Sequence, residues 1–368
     1  MKKTIAFILS TVFVFCFTQL EAAAVETDEE YYSELLDSAI DRETAEKLEE
    51  IGLYDFSADE IFSVSFDRIG EYFSVGLKEK TAEAFSAFFR MLCVIVILVC
   101  IKSFLCTEKS ESITIISVIS VVLLSVNVSN EVLEVLLSTL KTGGNFMIAF
   151  IPIYTVILSL AGNVSSAITY NTVTFTFAQI ISMLINGYAT DLTGVFLSMS
   201  MAFSLNSTMN LNRFISSVNK LVSTVVGFLA SGFAAMLSVR GILSATIDSA
   251  TSKSIKFLIG SLIPVVGSSI SDAYSTVLGS INVIKGSIAV AGIIIMLVIC
   301  VPPILEGVLY CLSLSVLSYI SEMAQFNEIS SVFKAFQSAI RTVILLNVFQ
   351  LFIMLVSTGI MITLKGGA

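Results

Sequence analysis

The sequence contains no histidine, and only 13% of its 368 residues are charged. Without imidazole groups the chain can form neither a Ser/His nor a Cys/His catalytic pair, and it can form no histidine-ligated metal site. A glycine-rich nucleotide loop, a Cys-x-x-Cys pair and a His-Glu-x-x-His motif are also missing. These absences argue against an enzyme, and we predict no catalytic residue, no metal and no cofactor.

The six cysteines are poorly placed for disulfide bonds. Five of them lie in apolar segments, and none lies in the acidic stretch 25–83. Cysteines in such surroundings usually fill a core or a lipid-facing surface. We therefore expect no disulfide framework.

Charge is missing altogether from long stretches of the chain. No charged side chain occurs between Thr142 and Thr190. An α-helix rises about 1.5 Å per residue and the hydrocarbon core of a bilayer is about 30 Å thick, so about 20 apolar residues make one crossing. The run therefore predicts two crossings with a turn at Gly162-Asn163. Its length favours helices over the shorter strands of a membrane barrel.

These runs predict an all-α fold, a polytopic bundle of about seven to nine transmembrane helices in a lipid bilayer. Residues 84–368 form this multispanning domain. Hydropathy places its other crossings at 84–106, 112–130, 192–209 and 221–239, from about residue 287 onward, and at 342–364.

Two different segments precede the predicted bundle. Residues 1–24 combine Met1-Lys2-Lys3, an apolar run and small residues ending at Ala24, which is typical of a signal peptide; an uncleaved first anchor is the alternative. Residues 25–83, here called the head, contain 18 Asp and Glu against five Lys and Arg. We expect an exported helical head, either a small collar or a docking surface for another exported protein. Its acidity would repel nucleic acid, which we exclude as a partner.

A row of small side chains runs along the predicted crossing at 221–239. Ser223, Gly227, Ser231 and Ala235 repeat every four residues and are here called the small-residue row. Small side chains at this spacing let another helix approach closely, which matters because lipid provides no hydrophobic drive between helices. The row predicts helix packing, either inside the chain or with another subunit.

The apolar pattern breaks down between residues 241 and 285. This region is rich in Ser and Gly, contains Asp248 and Asp272, and has Pro264 within a short apolar piece. Fifteen uncharged residues are too few for a comfortable crossing, so the region is a candidate re-entrant or broken helix. An external loop with an interfacial helix is the alternative. Asp248 and Asp272 are candidates for a polar path.

A third carboxylate follows a pair of prolines. Pro302 and Pro303 remove helical hydrogen bonds and predict a kink or a break, and Glu306 lies within one turn of them. A carboxylate inside a membrane helix is costly and usually faces a bundle interior, a partner or a water path. Glu306 is therefore a candidate for a polar path or a subunit contact. The alternative is that it ends a crossing at the membrane interface.

Four segments carry a resemblance to a known family. They are FIPIYTVILSLAG at 150–162, SVNKLVSTVVGFLASGFAAMLSVRGI at 217–242, GSLIPVVGSSISDAYSTVLGSINVIKGS at 260–287 and VPPILEG at 301–307. With the signal peptide and the acidic head, they are similar to the stage III sporulation protein AE family of endospore-forming bacteria. The resemblance implies a mother-cell protein inserted in the outer forespore membrane. It also implies a multispanning part of a channel-like complex, with other sporulation proteins of that membrane and of the intermembrane space as partners. It supplies no catalytic residues.

The sequence therefore predicts a membrane subunit of a sporulation channel or secretion complex. One alternative is a stand-alone secondary transporter that uses Asp272 or Glu306 as a coupling carboxylate. Another is a passive scaffold without a pore. A complex subunit should co-purify with exported sporulation proteins, whereas a transporter should bind a small solute alone.

Overall fold

The computed structural model describes residues 33–54, 56–64, 66–104, 110–184, 194, 211–262 and 267–363. Within these ranges the backbone forms helices joined by turns and short connections, and no strand occurs. The predicted all-α class is therefore confirmed. The signal peptide at 1–24, Pro264 and nearly all of the predicted crossing at 192–209 lie outside the described residues, and the expectations for them stay predictions.

The helices fall into a short N-terminal set and a long set. The head contains a helical stretch at 33–39 and two short helices, α1 (Arg42–Glu50) and α2 (Ala58–Ser63). The long helices are α3 (Phe66–Phe104), α4 (Ser110–Leu160), α5 (Val164–Leu184), α6 (Leu211–Leu262), α7 (Gly267–Met323) and α8 (Asn327–Thr363).

Five of the long helices are long and apolar enough to cross a membrane. Their candidate spans are Asp67–Ile101, Val128–Leu160, Ser216–Leu258, Ser271–Met323 and Asn327–Thr363. The shorter α5 is rich in Ser and Thr and packs inside the bundle, with one face buried from Ser166 to Ile181. The chain is thus a membrane protein. The predicted count of seven to nine spans stays a prediction, because part of the chain lies outside the described residues.

Several helices continue through positions where hydropathy predicted an interruption. α4 joins the predicted crossing at 112–130 to the first crossing of the run at 142–190 in one helix of 51 residues. These two segments therefore run in the same direction, and the prediction of two separate crossings is wrong for them. Glu131, Glu134 and Lys141 interrupt the apolar pattern, but Glu and Lys are good helix formers and do not stop a helix.

The bundle core is built around α8, which contacts α4, α5, α6 and α7. α4 packs so closely on α7 that a Cβ at Gly292 would lie 2.4 Å from the ring of Phe150. Phe233 of α6 packs edge-on against Phe177 of α5 and Phe352 of α8. Uncharged segments of five helices meet here. The side chains at these contacts are therefore apolar, and none of them is charged.

The turn predicted at Gly162-Asn163 is confirmed. α4 ends at Leu160, and Gly162 adopts a φ of 78°, a left-handed conformation that favours glycine. The amide of Asn163 donates to the carbonyl of Leu158 at 3.0 Å, which closes the end of α4. α5 then returns antiparallel alongside α4.

The head is folded onto the bundle. Its own small core contains buried apolar side chains, namely Leu36, Leu48, Ile51, Leu53, Phe56 and Ile61. Asp41 caps α1 by accepting a hydrogen bond from the amide of Thr44 at 3.0 Å. α1 and α2 both contact α7, and α3 runs without interruption through the predicted boundary at residues 83 and 84. The head and the bundle therefore share a helix as well as a contact surface.

Candidate functional site at the junction of head and bundle

Glu306 forms a tertiary ion pair. Its carboxylate lies 3.6 Å from the Lys80 ammonium group, and the Glu306 side chain is only 17% exposed. Lys80 also binds Glu83 at 3.1 Å. α3 supplies the cation and α7 the carboxylate, so the pair joins segments that are far apart in the sequence. Lys80 could not be singled out from the sequence, because nothing in the local pattern distinguishes it from other lysines of the head.

The pair lies at the edge of an open cleft of about 880 Å³ between the head and the bundle. The head contributes acidic and aromatic side chains, and the bundle contributes the proline turn of α7 together with Val135 of α4. Charged lining residues are Glu43, Lys47, Glu49, Glu50, Arg68, Glu71, Lys80 and Glu306. Carboxylates outnumber cations, so the cleft carries a net negative charge.

Three carboxylates of the cleft have no ion-pair partner among the described residues. Lys47 binds Glu43 at 2.7 Å, and Lys80 binds Glu306, whereas Glu49, Glu50 and Glu71 face the cleft region without a lysine or arginine within 4 Å. The Lys47–Glu43 pair is weak in water, because the Glu43 side chain is 76% exposed. The unpaired carboxylates instead give the cleft an attraction for positively charged groups.

The two prolines belong to the wall of this cleft. α7 continues through Pro302 and Pro303 as one helix from Gly267 to Met323. The sequence predicted either a kink or a break at these prolines, and the continuous helix excludes a break. Each proline still removes one backbone donor from the helix, so the carbonyls one turn earlier lose their usual partner. The proline turn and Glu306 together form the part of α7 that faces the head.

Asp248 caps a helix, and its place in a polar path stays a prediction. It is 4% exposed, and its carboxylate accepts hydrogen bonds from the amides of Ser165 and Ser166, both at 2.8 Å, and from the Ser166 hydroxyl at 2.7 Å. These amides open α5 and have no partner within that helix. A side chain of α6 thus caps α5 from across the bundle, where a negative charge also suits the helix dipole.

The three predicted carboxylates do not form one site. Asp272 is exposed at the start of α7, and 34 positions separate it from Glu306 on the same helix, which corresponds to about 50 Å along the axis. Asp248 lies at the end of the α4–α5 turn, where Leu278 contacts Gly162. The structure therefore brings Glu306 together with the head and leaves the two aspartates apart from it.

The small-residue row lies on an outer face of α6. All four members, Ser223, Gly227, Ser231 and Ala235, are exposed. A Cβ at Gly227 would meet no atom within 4 Å. The row is therefore not covered by close packing within the described part of the bundle, and packing inside the chain stays a prediction. Packing against another subunit stays a prediction.

We expect Gly227→Leu and Ser231→Leu to reduce assembly of this chain with its membrane partners without reducing its own folding, because bulky side chains would separate two closely packed helices. Assembly is measured by cross-linking in membranes. Val225→Leu is the matched control, because Val225 is 45% exposed but lies on a different face of α6 from the row, whereas its neighbour Val226 is buried. Equal cross-linking in all three variants would show that the row faces lipid.

Comparisons with known proteins identify the family of the chain. Residues 53–363 match the family described as stage III sporulation protein AE. A relative of that name from Bacillus subtilis (strain 168) is 26% identical over 189 residues, which is 50% of this chain and 46% of the relative. The chain thus spans about half the length of that curated relative, and no solved structure matches. Because the family match covers most of the sequence, including α3 to α8, the chain belongs to the stage III sporulation protein AE family.

Proposed function

We propose that this protein is the multispanning membrane subunit of a channel-like or secretion complex required for endospore development. In this proposal it is inserted in the outer forespore membrane and its head faces the intermembrane space. The partners are other sporulation proteins of that space and that membrane. Membership of the family supports a sporulation role, and the five candidate spans support a membrane location.

The observation that carries the proposal is the fixed position of the head on the bundle. α1 and α2 contact α7, Lys80 of α3 binds Glu306 of α7, and the two parts enclose an open acidic cleft. A head that packs on its membrane helices can present one defined surface to an exported partner. A stand-alone transporter is less well supported, because the three carboxylates do not share a site.

Partner contact through the head can be tested by photo-crosslinking in sporulating cells. A photoreactive amino acid at Phe62, which is 60% exposed on the head, should give adducts with other exported sporulation proteins. The same amino acid at Ile247, which is 55% exposed on α6 near the opposite end, is the matched control and should give none of these adducts. Protein adducts from Ile247 but not from Phe62 would contradict a docking role for the head.

The predicted orientation has its own test. Phe62→Cys should react with a membrane-impermeant thiol reagent added to the head side, and Val164→Cys at the start of α5 should react only after permeabilisation. Cys93 and Cys100 are exposed in the isolated chain and should first be replaced by serine. Labelling of Phe62→Cys only after permeabilisation would overturn the orientation.

A further inference from the structure

Two amide side chains are completely buried within the apolar bundle. Asn347 and Gln350 of α8 are both 0% exposed, although they belong to the uncharged run at 342–364. They lie three positions apart and so face the same side of α8. The segment that carries them, the span Asn327–Thr363, is among the candidate membrane crossings.

Gln350 lies where three helices meet. A Cβ at Gly143 of α4 would be 2.8 Å from the Gln350 Nε2 atom and 3.2 Å from the Met296 Cε atom of α7. The amide group therefore occupies the space that a side chain at position 143 would need. Glycine weakens a helix interior relative to alanine, so its presence at position 143 is explained by the space that the Gln350 side chain requires.

Hydrogen bonds within the described part of the protein involve only one polar atom of these two amide groups. The Asn347 Nδ2 group donates to the carbonyls of Leu136 at 3.1 Å and Val343 at 3.0 Å. Its Oδ1 atom, and both polar atoms of Gln350, have no hydrogen-bond partner within the described ranges. Unpaired buried polar groups are rare in native proteins, and a bound water molecule or ion commonly pairs with them.

The missing partner must both donate and accept hydrogen bonds. Asn347 Oδ1 and Gln350 Oε1 each need a donor, whereas Gln350 Nε2 needs an acceptor. A metal cation would bind the two oxygens but would be repelled by Nε2, and an anion would be repelled by the two oxygens. Water has two donors and two acceptors, and it commonly bridges buried polar groups of this kind.

We propose that Gly143, Asn347 and Gln350 form a buried hydration site that holds one or more water molecules between α4, α7 and α8. Tyr154 and Thr174 are also fully buried, with hydroxyl groups that lack a hydrogen-bond partner in the described part of the chain. All of these groups are neutral, so they can form hydrogen bonds with water but attract ions only weakly.

Radiolytic hydroxyl labelling of the purified full-length protein tests the site, because X-rays generate radicals from bound water even where bulk solvent is excluded. Met296, which is 0% exposed and lies beside Gln350 at Gly143, should be oxidised in a dose-dependent manner. Met361 is equally buried elsewhere on α8 and should stay unmodified, whereas Met323 is 86% exposed and reports the radical dose. Modified residues are located by mass spectrometry.

The double substitution Asn347→Leu with Gln350→Leu should lower oxidation of Met296 by about fivefold or more and leave Met323 unchanged, because the water loses its polar partners. Undiminished oxidation of Met296 in a folded double variant would overturn the assignment of these amides. If the double variant does not fold, the comparison of Met296 with Met361 in the unsubstituted protein still shows whether water occupies the site. Equal and negligible oxidation of both methionines would show that the site is dry.

Discussion

Asp248→Leu should destabilise the protein by about 3 kcal/mol or more, because it removes three hydrogen bonds to a buried carboxylate and leaves two amides of α5 without a partner. Asp248→Asn should cost only about 1–2 kcal/mol, because asparagine is a good helix cap but its amide nitrogen cannot accept a hydrogen bond. The free energy of unfolding should therefore increase from Asp248→Leu to Asp248→Asn to the unsubstituted protein.

A thiol-reactive dye can measure this stability, because Cys300 is 0% exposed and should react only on unfolding. The exposed Cys93 and Cys100 are replaced by serine to remove background. Asp272→Leu is the matched control, since this exposed carboxylate on α7 should change stability by no more than about 0.5 kcal/mol. Similar melting of the Asp248→Leu and Asp272→Leu variants would rule out the capping role.

Reversal of the charge at Lys80 should impair sporulation strongly. Lys80→Glu places a third carboxylate beside Glu83 and Glu306, which should push the head away from α7. Glu306→Lys should be milder, because Glu83 can still bind the two lysines. The double variant Lys80→Glu with Glu306→Lys restores opposite charges and should recover most of the lost function.

Sporulation efficiency and protein abundance are measured together, so that lost function is not confused with lost protein. Lys47→Glu is the matched control, since its partner Glu43 is 76% exposed and such pairs contribute little. Glu306→Gln should retain the fold and lose only the ion pair. If the double variant is as defective as Lys80→Glu alone, the contact of head and bundle does not depend on this pair.

The long uncharged runs were sufficient to predict a helical membrane protein, because the cost of burying unpaired backbone groups in lipid leaves few other folds. The turn at Gly162-Asn163 was also predictable, since glycine readily adopts the left-handed conformation that ends α4. The positions at which one helix ends and the next begins were not predictable. Glu131, Glu134 and Lys141 lower hydropathy without lowering helix propensity, so α4 continues where hydropathy predicted an interruption.

The candidate site was only partly predictable. Glu306 was singled out by its charge within an apolar segment, but its partner Lys80 could be found only in the folded protein. Asn347 and Gln350 offered a signal that was available in the sequence, namely two amides on the same side of an otherwise apolar helix. The small-residue row was recognisable from its spacing, whereas its exposure on α6 was not.

The sequence by itself determined the helical class, the acidic head and the family, because these depend on composition, on local periodicity and on motifs of neighbouring residues. Only the tertiary structure decided the partners of the buried polar groups. Asp248 caps α5 through the Ser165 amide, which is 83 positions away, and Lys80 meets Glu306 across more than half of the chain. Such contacts depend on how helices pack around α8, and helix packing depends on the shapes of whole surfaces rather than on the residues next to each charge.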